Sequence, residues 1–162
     1  MHGLSEENTT LICYTPSVRG VSISQDATIY KDQLFTNDVT ERIKHTTGTS
    51  NFDIIEERIT VKKLDDLSLS PDVVKIDVQG AEENVLRGMH STLERCRPIL
   101  LMEGLGVAIE MLTKLRYRFF VYSADTNKLI PLSKNTTSAW NSFCIPEENL
   151  STIRDQNGNL FQ

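Results

Sequence analysis

The chain has 162 residues, 39% of them hydrophobic, which suffices for one domain with a moderate core and is too little for two. A net charge of -5 leaves no basic stripe to neutralise a phosphate backbone, so nucleic-acid binding is disfavoured. No apolar run approaches the roughly 20 residues of a membrane span, and the first residues lack the charged-then-apolar order of a secretory signal, so the sequence reads as a soluble chain without a membrane span, cytoplasmic by default.

Residues 1–56 are polar, with short β-like pieces at 11–14, 21–24 and 27–30 separated by Pro16 and Gly20; they predict hairpins or an excursion over a domain edge. Residues 45–51 predict a polar loop, which contains His45. Ile59, Val61 and Leu64 then mark an alternating apolar segment, and Leu64-Asp65-Asp66-Leu67 predicts a short helical turn before a strand over 73–78.

From Ala81, the apolar residues Val85, Leu86, Met89 and Leu93 recur at helical spacing, with Glu82 and Glu83 in the first turn and Arg95 near the last. This predicts one helix, stopped by Pro98, with His90 on its surface toward its end. Ile99-Leu100-Leu101-Met102 is a continuous apolar strand of the kind buried on both faces in a parallel sheet, and Glu103 ends it. Gly104-Leu105-Gly106 turns into a second helix carrying Ala108, Met111, Leu112 and Leu115, followed by strands at 118–122, 129–132 and 142–145. The alternation of strand and helix predicts an α/β fold, a parallel sheet closed by a reversed terminal hairpin strand.

Ligands of open α/β sheets sit outside the carboxyl ends of the strands, so Asp77, at the end of one predicted strand, and Glu103, at the end of the next, are candidate site residues. A structural alternative for Asp77 is a helix cap accepting N–H groups of residues 79–81. Gly80 permits a tight strand-to-helix turn and Gly88 a close helix approach. Lys75 either snorkels from the sheet or pairs with an acid, and Trp140 reads as packing, with stacking on a sugar-like acceptor as the lesser reading. Cys13, Cys96 and Cys144 are scattered without a CxxC pair and read as small hydrophobes; no metal site is signalled. Asn8, Asn135 and Asn149 head glycosylation triplets that do not fix a compartment.

The run Val73-Val74-Lys75-Ile76-Asp77-Val78-Gln79-Gly80-Ala81-Glu82, then Val85-Leu86-Arg87-Gly88, then Arg97-Pro98-Ile99-Leu100-Leu101-Met102-Glu103, resembles the FkbM family of S-adenosylmethionine-dependent methyltransferases. Residues 60–67 and 141–146 are similar to further pieces of that family. The resemblance implies a Rossmann-like class I methyltransferase sheet and methyl transfer from S-adenosylmethionine to a hydroxyl of a sugar-like or other small acceptor. It also implies catalytic roles for Asp77 and Glu103 and cofactor contacts from Asp77, Gln79 and Gly80. Many members carry Glu where this chain has Gln79, which keeps hydrogen bonding and loses charge.

The family's Gly-rich "DxGAxxG" turn has no counterpart here: Gly3, Gly20 and Gly48 are isolated in polar sequence. The expectation is therefore a single, incomplete domain over 1–162, comprising a polar β-rich segment (1–56), a family-like core (57–146) and a tail (147–162). It carries a partial Rossmann-like sheet that binds S-adenosylmethionine weakly or not at all. Two alternatives stay open. One is a non-catalytic remnant or interaction module forming a homodimer through an exposed sheet edge; the other is a different α/β enzyme or nucleotide-binding protein sharing only the strand-turn-helix element.

Overall fold

The computed structural model describes residues 2–106, 108–132 and 141–157, and shows a mixed α/β protein with two sheets and five helices. The first sheet contains β1 (Gly3–Leu4), β2 (Thr9–Val18), β3 (Val21–Ser22) and β4 (Asp53–Lys62), in the order β1-β4-β2-β3. Within this sheet, among the described residues, only β2 and β3 form a local hairpin. The main ladder joins β2 to β4, antiparallel from Thr9↔Val61 to Ser17↔Asp53, so the polar N-terminal segment builds a sheet of its own with a strand distant in sequence.

Between β2 and β4 lie two 3-10 turns, Ser24–Asp26 and Lys31–Phe35, and then α1 (Asn37–Thr47). This helix corrects the expected β-rich stretch and polar loop: His45 lies in its last turn and is exposed. Its sequence is polar, and Ile43 alone among its residues is fully buried, so the apolar period is faint. Its caps are clearer, with Asp38 in the first turn, Lys44 and His45 in the last, and Gly48 at φ 78° accepting the left-handed stop.

The second sheet contains β5 (Val73–Ile76), β6 (Ile99–Glu103), β7 (Tyr117–Ser123), β8 (Lys128–Pro131) and β9 (Asn141–Pro146), in the order β5-β6-β9-β7-β8. β5 and β6 are parallel; β9 runs antiparallel to both β6 and β7. The reversed terminal strand therefore does not close the sheet at its edge. It enters between β6 and β7, and the edge on that side is β8, which pairs with β7 as a hairpin, while β5 forms the other edge.

The expected single helix after Ala81 is two: α2 (Glu82–Arg87) and α3 (His90–Cys96). The break lies at Gly88 and Met89, where the Gly88 carbonyl accepts the Asp65 N–H at 3.1 Å instead of continuing a helical ladder. His90 thus begins a helix, and its side chain faces Glu94 on the surface. Asp65 closes the new helix start, accepting from Ser91 N–H (3.0 Å), Thr92 N–H (2.8 Å) and Thr92 Oγ1 (2.7 Å).

Val85, Leu86, Met89 and Leu93 on these helices, with Leu112 of α4 (Ala108–Lys114), pack on Ile76, Leu100, Met102 and Cys144. Each large side chain buried here is worth about 1.5–3 kcal/mol by area removed from water, an upper bound because unfolded chains are already partly collapsed. On another part of the sheet, Phe120, Leu129 and Ile145 meet Leu150 of α5 (Asn149–Asn157). No helix among the described residues is long and apolar enough to cross a membrane.

Candidate functional site

β5 and β6 lie in parallel register with Ile76 opposite Met102. One residue further along each chain stand Asp77 and Glu103, so the register that buries Ile76 and Met102 delivers two carboxyl groups side by side at the carboxyl ends of the strands. They line a cavity of about 560 Å³ whose other walls come from β2, β4, residues 24–29 and α1. Val78 and Gln79 also line it.

The two carboxyl groups are within hydrogen-bonding reach, and each shifts the other. Hydrogen bonds from Lys75 and then from Glu103 hold Asp77 below the usual carboxylate range. The Asp77 partner, reinforced by burial, raises the Glu103 carboxyl. Two like charges cannot both be held cheaply at this separation, and Lys75, in contact with Asp77 Oδ2, decides which one stays ionised. Gln79 spans the pair: its Nε2 lies 3.4 Å from Asp77 Oδ1 and 3.5 Å from Glu103 Oε2, so it donates to both, at long range.

Gln79 occupies this position because the turn after β5 is left-handed at two successive residues, with φ 47° at Gln79 and 94° at Gly80. The second suits glycine; the first is a strained conformation for a side-chain-bearing residue. Contacts from the N-terminal segment hold the turn. Thr28 Oγ1 lies 3.1 Å from the Gln79 carbonyl and 3.0 Å from Gln33 Oε1, its single proton serving either. Gln33 covers Gly80 so closely that a Cβ there would fall 2.4 Å from its Nε2. The Gly80 N–H donates to Glu82 at 3.1 Å. Glu82, and not Asp77, therefore takes the N–H that the capping reading assigned to Asp77.

The structure brings Asp77, Gln79 and Glu103 together in one cavity and leaves Gly80 outside its lining, under Gln33. Lys75 pairs with an acid, as one of its two sequence readings had it. Trp140 and Asn135 lie outside the described residues. Sequence reasoning missed Thr28 and Gln33, which support the turn, and the ion pair of Asp26 with Arg42, whose arginine lines the cavity. Their only signal was a polar character shared with the whole segment.

Comparison with known proteins places this geometry in a family. No curated protein and no solved structure matches the chain. The family model of the methyltransferase FkbM domain matches residues 10–137, which include β2, β4, the turn after β5 and both carboxyl-bearing strands. The chain belongs to the methyltransferase FkbM domain family.

Proposed function

We propose that this chain carries the acceptor side of an oxygen methyltransferase, with S-adenosylmethionine as methyl donor and a small hydroxyl compound, sugar-like or otherwise, as acceptor. The observation that carries the reading is the Asp77–Glu103 pair, two carboxyl groups shifted in opposite directions at the mouth of adjacent parallel strands. Perturbed acids in a cleft are what proton-transfer chemistry requires. The order β5-β6-β9-β7, with its one reversed strand, supports reading the second sheet as part of a Rossmann-like methyltransferase sheet.

In this reading the acceptor hydroxyl enters beside the pair and donates to a carboxylate oxygen. Asp77, kept ionised by Lys75, orients it. Glu103, a stronger base than an ordinary glutamate because its Asp77 neighbour and burial raise its proton affinity, takes the hydroxyl proton as the oxygen becomes nucleophilic. Gln79 has no charge to add and serves as a neutral donor bridging the two acids. Positioning is the larger share of the task, because a held hydroxyl needs little more than correct distance and direction to react.

The residues present do not by themselves fit S-adenosylmethionine. The glycine turn after β5 has its Gly80 N–H bound to Glu82 and its outer side filled by Gln33, so it offers no open cradle for a nucleotide. Weak binding of the donor follows. Incubation with labelled S-adenosylmethionine at millimolar concentration and a panel of hydroxyl acceptors tests the proposal. Product labelled at oxygen, lost by about 10²–10⁴-fold in Glu103→Gln, is expected; label on nitrogen or carbon, or no label at all, would contradict it.

A second reading rests on the edge position of β5, where Val73 is 64% exposed. An open edge recruits another strand, and a homodimer would satisfy it. Sedimentation across the micromolar range decides: a monomer throughout removes this reading.

A further inference from the structure

Asp26 is buried, with its side chain fully shielded, and its carboxylate receives Arg42 on one oxygen only: Nε donates to Oδ1 at 3.0 Å and Nη2 contacts the same atom. Oδ2 has no hydrogen-bond partner among the described residues. The pair is thus unlike the fork-to-fork arrangement in which both oxygens take both arms of the guanidinium. Arg42 has five N–H donors, and no hydrogen bond from its Nη1 to protein is found among the described residues. Its side chain is 35% exposed and lines the cavity that holds Asp77 and Glu103.

Among the residues lining that cavity, Arg42 is the one cation. The adjoining wall is apolar. Leu11 and Ile59 face each other across the β2–β4 ladder, with Cys13 and Val61 two residues along on the same face. The cavity therefore offers three chemistries at once: carboxyl groups for a hydroxyl, an apolar wall, and unspent guanidinium donors.

We infer that Arg42 binds a carboxylate of the ligand, and that the acceptor is a hydroxy acid with an apolar body rather than a neutral sugar. This rests on the acceptor-side reading above and sharpens it. A single negative charge is favoured over a phosphate dianion because Asp77 and Glu103 line the same space and repel the second charge more strongly. Asp26 is then a positioning residue, holding Arg42 by one oxygen so that its remaining donors stay available.

The test is calorimetric titration of the full chain with 3-(4-hydroxyphenyl)propanoate and with the corresponding neutral amide, without methyl donor. The acid is expected to bind about tenfold tighter than the amide, as one charge-assisted contact supplies. Because Arg42→Gln alone leaves a buried carboxylate uncompensated and could unfold the chain, the variant used is Arg42→Gln with Asp26→Asn, in which the preference should fall to about twofold or less. Asp26→Asn alone keeps an Oδ1 acceptor to hold Arg42 and removes the competing negative charge, so it should raise the preference, by about threefold or more, which a merely structural pair would not do.

Equal affinities in the parent chain, no binding of either probe, or a preference that survives in the double variant would each overturn the inference. An Arg42-dependent carboxylate preference without any methyl transfer would leave the Arg42 carboxylate site standing and sink the methyltransferase reading, and with it the ligand's role as acceptor. Transfer to neutral acceptors without Arg42 dependence would do the reverse.

Discussion

The carbonyl oxygen of Ser5 lies where residue 88 would carry a side chain: a Cβ built on Gly88 falls 1.9 Å from it. The N-terminal segment and the helical layer of the second sheet therefore touch backbone to backbone at this point, and only glycine allows it. Gly88 is also where the predicted single helix breaks into α2 and α3. Gly88→Ala should destabilise the chain by about 1–3 kcal/mol or more, as overpacking against backbone does. A denaturant midpoint unchanged by the substitution would show that the two segments do not dock this way.

Asp65 should be a structural residue, although it sits in the segment that resembles a family motif. Burial alone would raise its carboxyl, but the hydrogen bonds of Thr92 and then Ser91 outweigh burial and hold it below its ordinary value of 3.8. A depressed folded-state value contributes stability that is present above the unfolded value and lost as pH falls through the folded one. Asp65→Ala should cost about 1–2 kcal/mol near neutrality, and its difference from the parent should shrink as pH drops below 3.8. A deficit independent of pH would contradict the capping role.

The two site acids should titrate apart. Carbon-detected NMR of the carboxyl groups should show Asp77 below and Glu103 above the ordinary range, and Asp77→Asn should return Glu103 toward its usual value by removing its largest perturbing partner. Two independent, unshifted titrations would break the proposed unit. The signs also set the stability profile. Asp77 stabilises the fold above the unfolded aspartate value, whereas a raised Glu103 favours the fold at low pH and loses that advantage as pH rises through its folded value.

Gln79→Glu places a third carboxyl group against the other two, where the amide now lies 3.4 and 3.5 Å away. The added negative charge should make the Glu103 proton harder to remove, moving the highest carboxyl titration up by about one unit or more. The NMR titration measures this, and a downward shift would mean that Gln79 does not lie over the pair.

Much of the second sheet was legible in the sequence because its signals are local. Ile99-Leu100-Leu101-Met102 reads as a strand by its unbroken apolar run, and β6 is that strand, but Leu100 and Met102 are buried while Ile99 and Leu101 are only half-buried, and one of its two neighbours, β9, is antiparallel. The apolar spacing of Ala108, Met111, Leu112 and Leu115 marked a helix, and α4 (Ala108–Lys114) carries the first three of them. What escaped depends on partners far away in the chain. The order of β9 between β6 and β7 is a pairing fact that no window of residues contains. The split at Gly88 needed knowledge of Asp65, whose N–H donates to the Gly88 carbonyl and whose carboxylate starts the second helix, and α1 was hidden because its apolar period rests on Ile43 alone. The site divides in the same way. Asp77 and Glu103 were legible because strand ends announce themselves, while Arg42 and Asp26, 16 residues apart in polar sequence, acquire meaning only when α1 folds back over residues 24–29.

The most direct test of the account is the pH dependence of methyl transfer to a hydroxyl acceptor, measured at millimolar S-adenosylmethionine for the parent chain and for Glu103→Gln. The rate should rise with pH along a limb lying above the ordinary glutamate value of 4.5, and this limb should vanish in the variant as the rate falls by about 10²–10⁴-fold. The same limb persisting in Glu103→Gln would contradict the assignment of the Asp77–Glu103 pair as the group that takes the acceptor's proton.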